Sequence, residues 1–345
     1  MNSRLAGFEI SMFAWVLLFS ILGNLLLCDA VVAQGQARHV SDIKVPGGFE
    51  VTQVAGDQLA TNIYSLAVSP DGRTFVTGPG YIKVLIDADG DRVFESAKTY
   101  SEQPLSGAQG ICFDGNDLLC TGDGALLKFT DANNDSVSDG PPQRIFPIKT
   151  GGEHEAHSVR KGPDGWWYVL AGNLTPISPA FYSSPKSPVN KPREGFVMRI
   201  SPDWTEKQIY CHGFRNAYDF DFNSIGEMFV FDSDGERDVS LPWYRPTRVF
   251  RMRPGDDAGF VAKSWKRPSH FFDMPPEVGA LGRGSPTGVV VGNSSTFPKA
   301  FDDAIFVADW TFGRVSVFKR DRDGNYDRGS DFAVASGQFL SLIHI

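Results

Sequence analysis

One pattern recurs along this chain and restricts its fold more than any other. An apolar strand is followed by a tight turn carrying Asp-Gly or an equivalent, a second apolar strand, a polar loop and a third strand. The copies read SLAVSPDGRTFVTGPGYIKVLID (65–87), ICFDGNDLLCTGDGALLKFTD (111–131), HSVRKGPDGWWYVLAGN (157–173), AYDFDFNSIGEMFVFDSD (217–234) and FDDAIFVADWTFGRVSVFKRD (301–321). The first two stand 44 residues apart, measured from Asp87 to Asp131. Asp-Gly turns between alternating apolar runs signal hairpins, and four-stranded units repeated every 40–50 residues or so build a β-propeller. A β-sandwich would leave the repetition unexplained. Five units plus a leading strand, FEVTQVAGD (49–57), predict an all-β, six-bladed propeller whose last portion is missing from the chain. The 36 Gly, 22 Pro and 27 Phe suit many short strands and tight turns, and no useful helical periodicity follows the N-terminus. The Pro- and Ser-rich stretch 175–193 is expected as a long loop on one rim.

The ends of the chain have meanings of their own. Arg4, the apolar run from Phe13 to Leu27 and the small residues before Gln34 form a signal peptide over residues 1–33, with a linker at 34–44 and the propeller at 45–339. The alternative is an anchor that stays attached, but the apolar run is shorter than the roughly twenty residues a spanning helix needs, so cleavage is expected to leave no stable membrane span and to place the protein in the periplasm or outside the cell. Export exposes Cys112, Cys120 and Cys211 to an oxidising compartment. Cys112 and Cys120 flank a turn and would either bridge a hairpin or stay as buried thiols. No CxxC or CxxCH occurs, which excludes covalent haem and a Cys-based zinc site in this chain. A net charge of −8 without a basic stripe argues against nucleic acid. The final residues, LSLIHI (340–345), match the translation of a transposase adapter used in DNA library preparation. They are read as an artefact, which also removes His344 from any site.

Three constellations carry chemistry. Asp87, Asp89, Asp91 and Glu95 share the pattern D-A-[DN]-x-D-x-V-x-[DE] with Asp131, Asn133, Asp135 and Asp139, and a third copy at Asp321, Asp323 and Asn325 is incomplete. Oxygen ligands at positions 1, 3, 5 and 9 are what a Ca²⁺ loop supplies, though the Glu at position 12 and the helices of an EF-hand are lacking. Asx-rich turns without metal are the alternative. The segment 211–248 places Arg215 and Asn216 before an apolar strand. After the strand come Asp232, Asp234, Glu236 and Asp238 at alternate positions, then the turn PWYRPTR (242–248). Alternate residues of an extended segment point the same way, so these carboxylates would crowd together around a cation or Arg partners. Lastly, GEHEAH (152–157) sets Glu153, His154, Glu155 and His157 ahead of an inner-strand signature. A neighbouring carboxylate can orient a His as a general base near neutral pH. Zinc would compete for the two His, but H-E-x-H on a loop lacks the helical i, i+4 geometry.

The ordered run GGEHEAHSVRKGPDGWWYVLAGN, HGFRNAYDFDFN, GEMFVFDSDGERD, PWYRPTR, GRGSPTGVVVG and FPKAFDDAIFVADWTFGRV resembles the exported "membrane-bound dehydrogenase" or sorbosone-dehydrogenase-like propellers of planctomycetes over about residues 45–335. More distantly it is similar to soluble quinoprotein glucose dehydrogenases, six-bladed propellers using pyrroloquinoline quinone (PQQ) and Ca²⁺. The resemblance implies a dehydrogenase that oxidises a sugar or alcohol by hydride transfer to PQQ and passes electrons to a c-type cytochrome domain or partner. It places the base at His154, eight residues before Gly162 of the GPD turn. The G-x-R-N motif falls on Gly213 to Asn216, with Arg215 polarising the quinone and Asn216 holding it, and His157 is taken to the cofactor side as well. Asp232 to Asp238 correspond to the calcium loop in position only, since the loop sequences differ. The remaining basic ligands do not map, which leaves Arg245, Arg248, Arg251 and Arg283 as choices. Two other readings stand beside this one: a calcium-stabilised, non-catalytic propeller binding carbohydrate or protein, and a metal-dependent propeller lactonase.

Overall fold

The computed structural model describes residues 38–39, 42–233, 235–262, 270–293 and 296–335. Residues 1–37 (which include the expected signal peptide), Asp234 and the final residues 336–345 lie outside them. The described residues form five large antiparallel sheets, four of them laid down in chain order and the fifth completed by the N-terminal segment, and one two-stranded pairing of Arg38–His39 with Thr52–Gln53. Blade one contains Ser65–Val68, Thr74–Gly78, Tyr81–Ile86 and Ser96–Ser101. Blade two contains Gln109–Asp114, Asp117–Gly122, Ala125–Phe129 and Gln143–Pro147. Blade three contains Ala156–Lys161, Trp167–Ala171, Gly195–Ile200 and Lys207–Phe214. Blade four contains Phe220–Phe222, Met228–Asp232, Thr247–Met252 and Glu277–Gly282. Blade five opens with Pro286–Val291, Ile305–Asp309 and Arg314–Arg320, then takes Ala333–Ala335 and, from the N-terminal segment, Ile43–Lys44.

The apolar strands are nearly continuous because each sheet is buried on both faces. In blade four, Met228 and Val230 point toward blade three and join Tyr168, Leu170 and Val197. Phe229 and Phe231, the residues between, point toward blade five and join Val289, Ile305 and Val307. The period-2 alternation of a strand therefore feeds two cores at once. Polar stitches run between neighbours along the inner strands. The Thr77 hydroxyl donates to the Ala108 carbonyl at 2.8 Å and the Thr121 hydroxyl to the His157 carbonyl at 2.5 Å.

Among the described residues there are five blades, not six. The leading strand expected at 49–57 does not open a blade, since only Thr52–Gln53 is extended, paired with Arg38–His39. The segment instead covers the two end sheets. Phe49 packs edge-on against Phe297, Phe301 and Phe332 on the free face of blade five. Ala55, Leu59, Ala60 and Ile63 cover Val76 and Leu85 on the free face of blade one. Apolar faces that a sixth sheet would bury are thus buried by a wedge of irregular chain. The fifth unit also begins earlier than its repeat suggests, at Pro286–Val291 within GRGSPTGVVVG. Cys112 and Cys120 stand on adjacent strands but not opposite one another; both are free thiols, as is Cys211.

Because antiparallel strands alternate in direction, the connections fall into two sets. Turns joining strands one to two and three to four emerge on one face. Those joining two to three, and each blade to the next, emerge on the other. The expected rim loop 175–193 belongs to the second face; it contains a short 3-10 turn, Pro179–Tyr182, whose Phe181 anchors it in the core. No helix among the described residues is long and apolar enough to cross a membrane.

Candidate functional site

His154 sits half-buried in the turn that leads into blade three. Its Nδ1 lies 2.7 Å from Oδ1 of Asn173, two residues beyond the second strand of the same blade. With the Asn173 oxygen accepting, the imidazole proton is on Nδ1 and the Nε2 lone pair is left to take a proton. Gly172 makes the approach possible, since a Cβ there would stand 2.7 Å from the His154 carbonyl oxygen. The Asn173 backbone N–H in turn donates to the Arg215 carbonyl at 2.9 Å. A single run of hydrogen bonds therefore joins His154 to the turn entering blade four.

Arg215 and Asn216 are held by Asp232 at the end of that blade's second strand. The Asp232 carboxylate accepts the Arg215 N–H at 2.9 Å and the Asn216 N–H at 3.0 Å. Burial pushes its carboxyl up to about 6, and the two N–H groups and the Arg248 charge offset this only in part. The Arg215 guanidinium donates to the Ser233 hydroxyl at 2.9 Å and reaches Glu236 at 3.3 Å. Asn216 is buried, and its side-chain oxygen has no partner. An orphaned acceptor beside a guanidinium suits a ligand that brings both a donor or cation and negative charge.

The alternating acidic segment does not gather as an extended strand would place it. The strand ends at Asp232, and Glu236–Asp238 is a 3-10 turn. Asp232 is occupied by backbone N–H groups, Glu236 is exposed toward Arg215, Asp238 closes the 3-10 turn, and Asp234 lies outside the described residues. A cluster with metal-ligand geometry does form at Asp87, Asp89, Asp91 and Glu95, whose ligand oxygens all lie within 4.8 Å of one another. In the second copy, Asp131 is buried and accepts the N–H groups of Asp135 and Ser136, while the Asp139 carboxylate accepts that of Ala132. Asn133 accepts the Asp135 N–H and donates to the Asp135 carboxylate. Both turns link strand three to strand four, on the face opposite His154 and Arg215.

His157 is placed elsewhere. It is buried in the wall of a central cavity of about 880 Å³, with Leu66, Ile111, Val159 and Val290 among the apolar lining. Its ring stacks on Tyr218 with centroids 3.8 Å apart. Burial lowers its pKa to about 4, so the imidazole is neutral. Nε2 lies 2.7 Å from the Glu153 carbonyl oxygen and Nδ1 lies 2.6 Å from Oε1 of Gln109; both partners are acceptors, and the neutral ring has one N–H to donate to them. Deeper in the wall, Asp219 accepts from Ser158 and Arg160 of blade three and from the Val289 N–H of blade five. Arg245 and Arg248 line a separate cavity of about 260 Å³ at the outer edge of blade four. Sequence reading missed Gln109, Tyr218 and Asn173. Only Asn173 carried a signal, as the last residue of the GWWYVLAGN run.

Solved structures with this fold include the PQQ-bound aldose sugar dehydrogenase of Streptomyces coelicolor, 15% identical, with 86% of this chain and 87% of that one covered at a TM-score of 0.56. The holo PQQ domain of pyranose dehydrogenase from Coprinopsis cinerea is 13% identical, with 88% of each chain covered and a TM-score of 0.60. A calcium structure of a family AA12 carbohydrate-active enzyme from Trichoderma reesei is 9% identical, with 87% of each covered at 0.60. At such identities the likeness speaks for the fold alone. No curated protein matches the sequence. A family model described as a domain of unknown function (DUF7133) matches residues 36–325, and the chain belongs to that family.

Proposed function

We propose that this protein is a dehydrogenase that oxidises a hydroxyl group of a sugar or alcohol on the face carrying His154, Arg215 and Asn216, with PQQ as its cofactor. The observation that carries the reading is the His154–Asn173–Arg215 run, which sets a base and a cation from successive blades on one face. The residues present suit the cofactor. Arg215 offers positive charge to a tricarboxylate, and the unpartnered Asn216 oxygen accepts a hydrogen bond or a cation. PQQ, when bound, accepts the hydride of the substrate carbon. His154 Nε2 takes the hydroxyl proton, a role for which its tautomer is set by Asn173. Arg215 stabilises negative charge developing beside it, and Asp232 keeps the backbone of both residues in place.

Calcium is assigned to the turn of Asp87, Asp89, Asp91 and Glu95 and, by the shared pattern, to Asp131, Asn133, Asp135 and Asp139. It acts there as a brace, remote from the chemistry. Electrons leave to a c-type cytochrome, and the apolar N-terminus directs the protein to the periplasm or beyond. The test is reconstitution of the purified chain with PQQ and Ca²⁺, followed by dye reduction across aldoses and alcohols. Turnover that depends on PQQ is expected. Absence of PQQ binding in the presence of Ca²⁺ would eliminate the reading.

A further inference from the structure

We propose that the cavity of about 260 Å³ at the outer edge of blade four binds a small oxyanion, a carboxylate or phosphate group, between Arg245 and Arg248. The inference is independent of the dehydrogenase reading. Arg248 lies on the third strand directly opposite Asp232, and cross-strand neighbours share a face. Its side chain is only 9% exposed. A guanidinium carries five donors, yet among the described residues its side-chain hydrogen bonding is one contact to the Pro246 carbonyl at 3.2 Å. The Asp232 carboxylate beside it is taken up by two backbone N–H groups. Glu277 stands 3.8 Å from Nε, beyond hydrogen-bond reach, and is itself 42% exposed.

Arg245 lines the same space, and its charge disfavours that of Arg248. Among the described residues its guanidinium makes no hydrogen bond or ion pair. Two cations thus line one cavity, and the carboxylates near them are Glu277, which pairs with Arg248 at 3.8 Å, and Asp232 on the neighbouring strand, which is engaged by backbone N–H groups. Like charges in such a setting are relieved by an anion that takes the open donors. The remaining walls, Phe250, Met274 and Pro275, are apolar, which strengthens any charge-assisted contact made inside. The Phe250 ring lies 4.8 Å from the Arg248 guanidinium and fixes its plane.

The full chain, without cofactor or substrate, is titrated with inorganic phosphate and with malonate by calorimetry and thermal unfolding, against sodium chloride at matched ionic strength. Either oxyanion should raise the unfolding midpoint in proportion to the logarithm of its concentration, and the tighter of the two identifies the group. Arg248→Met and Arg245→Met should each weaken binding at least tenfold, whereas Arg283→Met, an exposed cation outside this cavity, should leave it unchanged. Equal stabilisation by chloride overturns the proposal, as does unaltered affinity in either cavity variant. Should Arg248→Met fail to fold, Arg245→Met, at a half-buried loop position, decides the question.

Discussion

The two faces of this propeller satisfy their polar groups in different ways. On the face with the acidic turns, most carboxylates are answered inside their own loop. Asp87 accepts the N–H groups of Gly90 and Arg92, Asp91 that of Val93, and Glu95 that of Ala88. On the opposite face the partners come from distant chain: His154 from Asn173, Asn173 from Arg215, Arg215 and Asn216 from Asp232. The first arrangement survives as a local motif whatever the neighbouring blade does. The second exists only when blades three and four are docked in register. A reactive group benefits from the second kind, because its orientation is then determined by two packed sheets rather than by one turn.

The sharpest way to break this contrast is at His154. His154→Gln should lower PQQ-dependent dye reduction by about 100- to 10,000-fold, the range lost with a general base, while the denaturation midpoint stays within experimental scatter. A loss below tenfold would remove His154 from the chemistry and leave that face as structural as the other. His157, although closer to the centre, should behave differently. Its pKa of about 4 lies below the ordinary 6.5 through burial, so the unfolded chain takes up the proton first as pH falls. Its contribution to stability is present above pH 6.5 and lost on descending toward 4, by about 3 kcal/mol.

Asp232 titrates in the same window with the opposite sign. Its pKa of about 6 lies above the ordinary 3.8, so its contribution is full below about 4 and lost as pH rises through 6. Between these limits the two groups nearly cancel. Asp232→Asn, which keeps a side-chain oxygen for the Arg215 and Asn216 N–H groups, should therefore lose stability relative to the parent as pH falls from 6 to 4. His157→Gln should gain relative to the parent over the same range. Urea unfolding at three pH values checks both slopes, and parallel curves for parent and variants would show that neither residue titrates as its burial requires. Asp232→Ala should cost about 1–3 kcal/mol near neutral pH, because two buried N–H groups lose their acceptor.

The same contrast explains what could be read from the chain alone. Asp-Gly turns and alternating apolar strands report local geometry, and they showed the propeller and its repeating unit. The D-x-D turns are local too, and Asp87 to Glu95 gather as their spacing requires. Asp232, Glu236 and Asp238 do not line up as an extended segment would place them, for a nonlocal reason. The Arg215 turn captures Asp232 from across the sheet, ends the strand there and sends the following residues into a 3-10 turn. Blade number was also hidden, since covering the end sheets with Phe49 and Leu59 rather than with a sixth blade depends on how an irregular segment packs. Gln109 and Tyr218 meet His157 from two other blades, and no spacing in the sequence announces such an encounter.

The smallest expected effect concerns the acidic face. If Ca²⁺ occupies the Asp87 turn at about tenfold its dissociation constant, chelation removes roughly 1.4 kcal/mol, since RT ln 11 is about that amount. For a chain of this size that corresponds to a few degrees in Tm. Asp89→Asn combined with Asp91→Asn should reproduce the shift without chelator and abolish any further response to it. Asp131 to Asp139 should contribute less, because Asn133 removes one carboxylate and Asp131 is already buried against two N–H groups. The informative measurement is activity per folded molecule after chelation. A calcium that only braces the far face leaves it unchanged once PQQ is bound. If activity falls with the ion while the double Asn variant remains active, calcium also sits beside Arg215 and Asn216, and the separation between a structural face and a chemical one no longer holds.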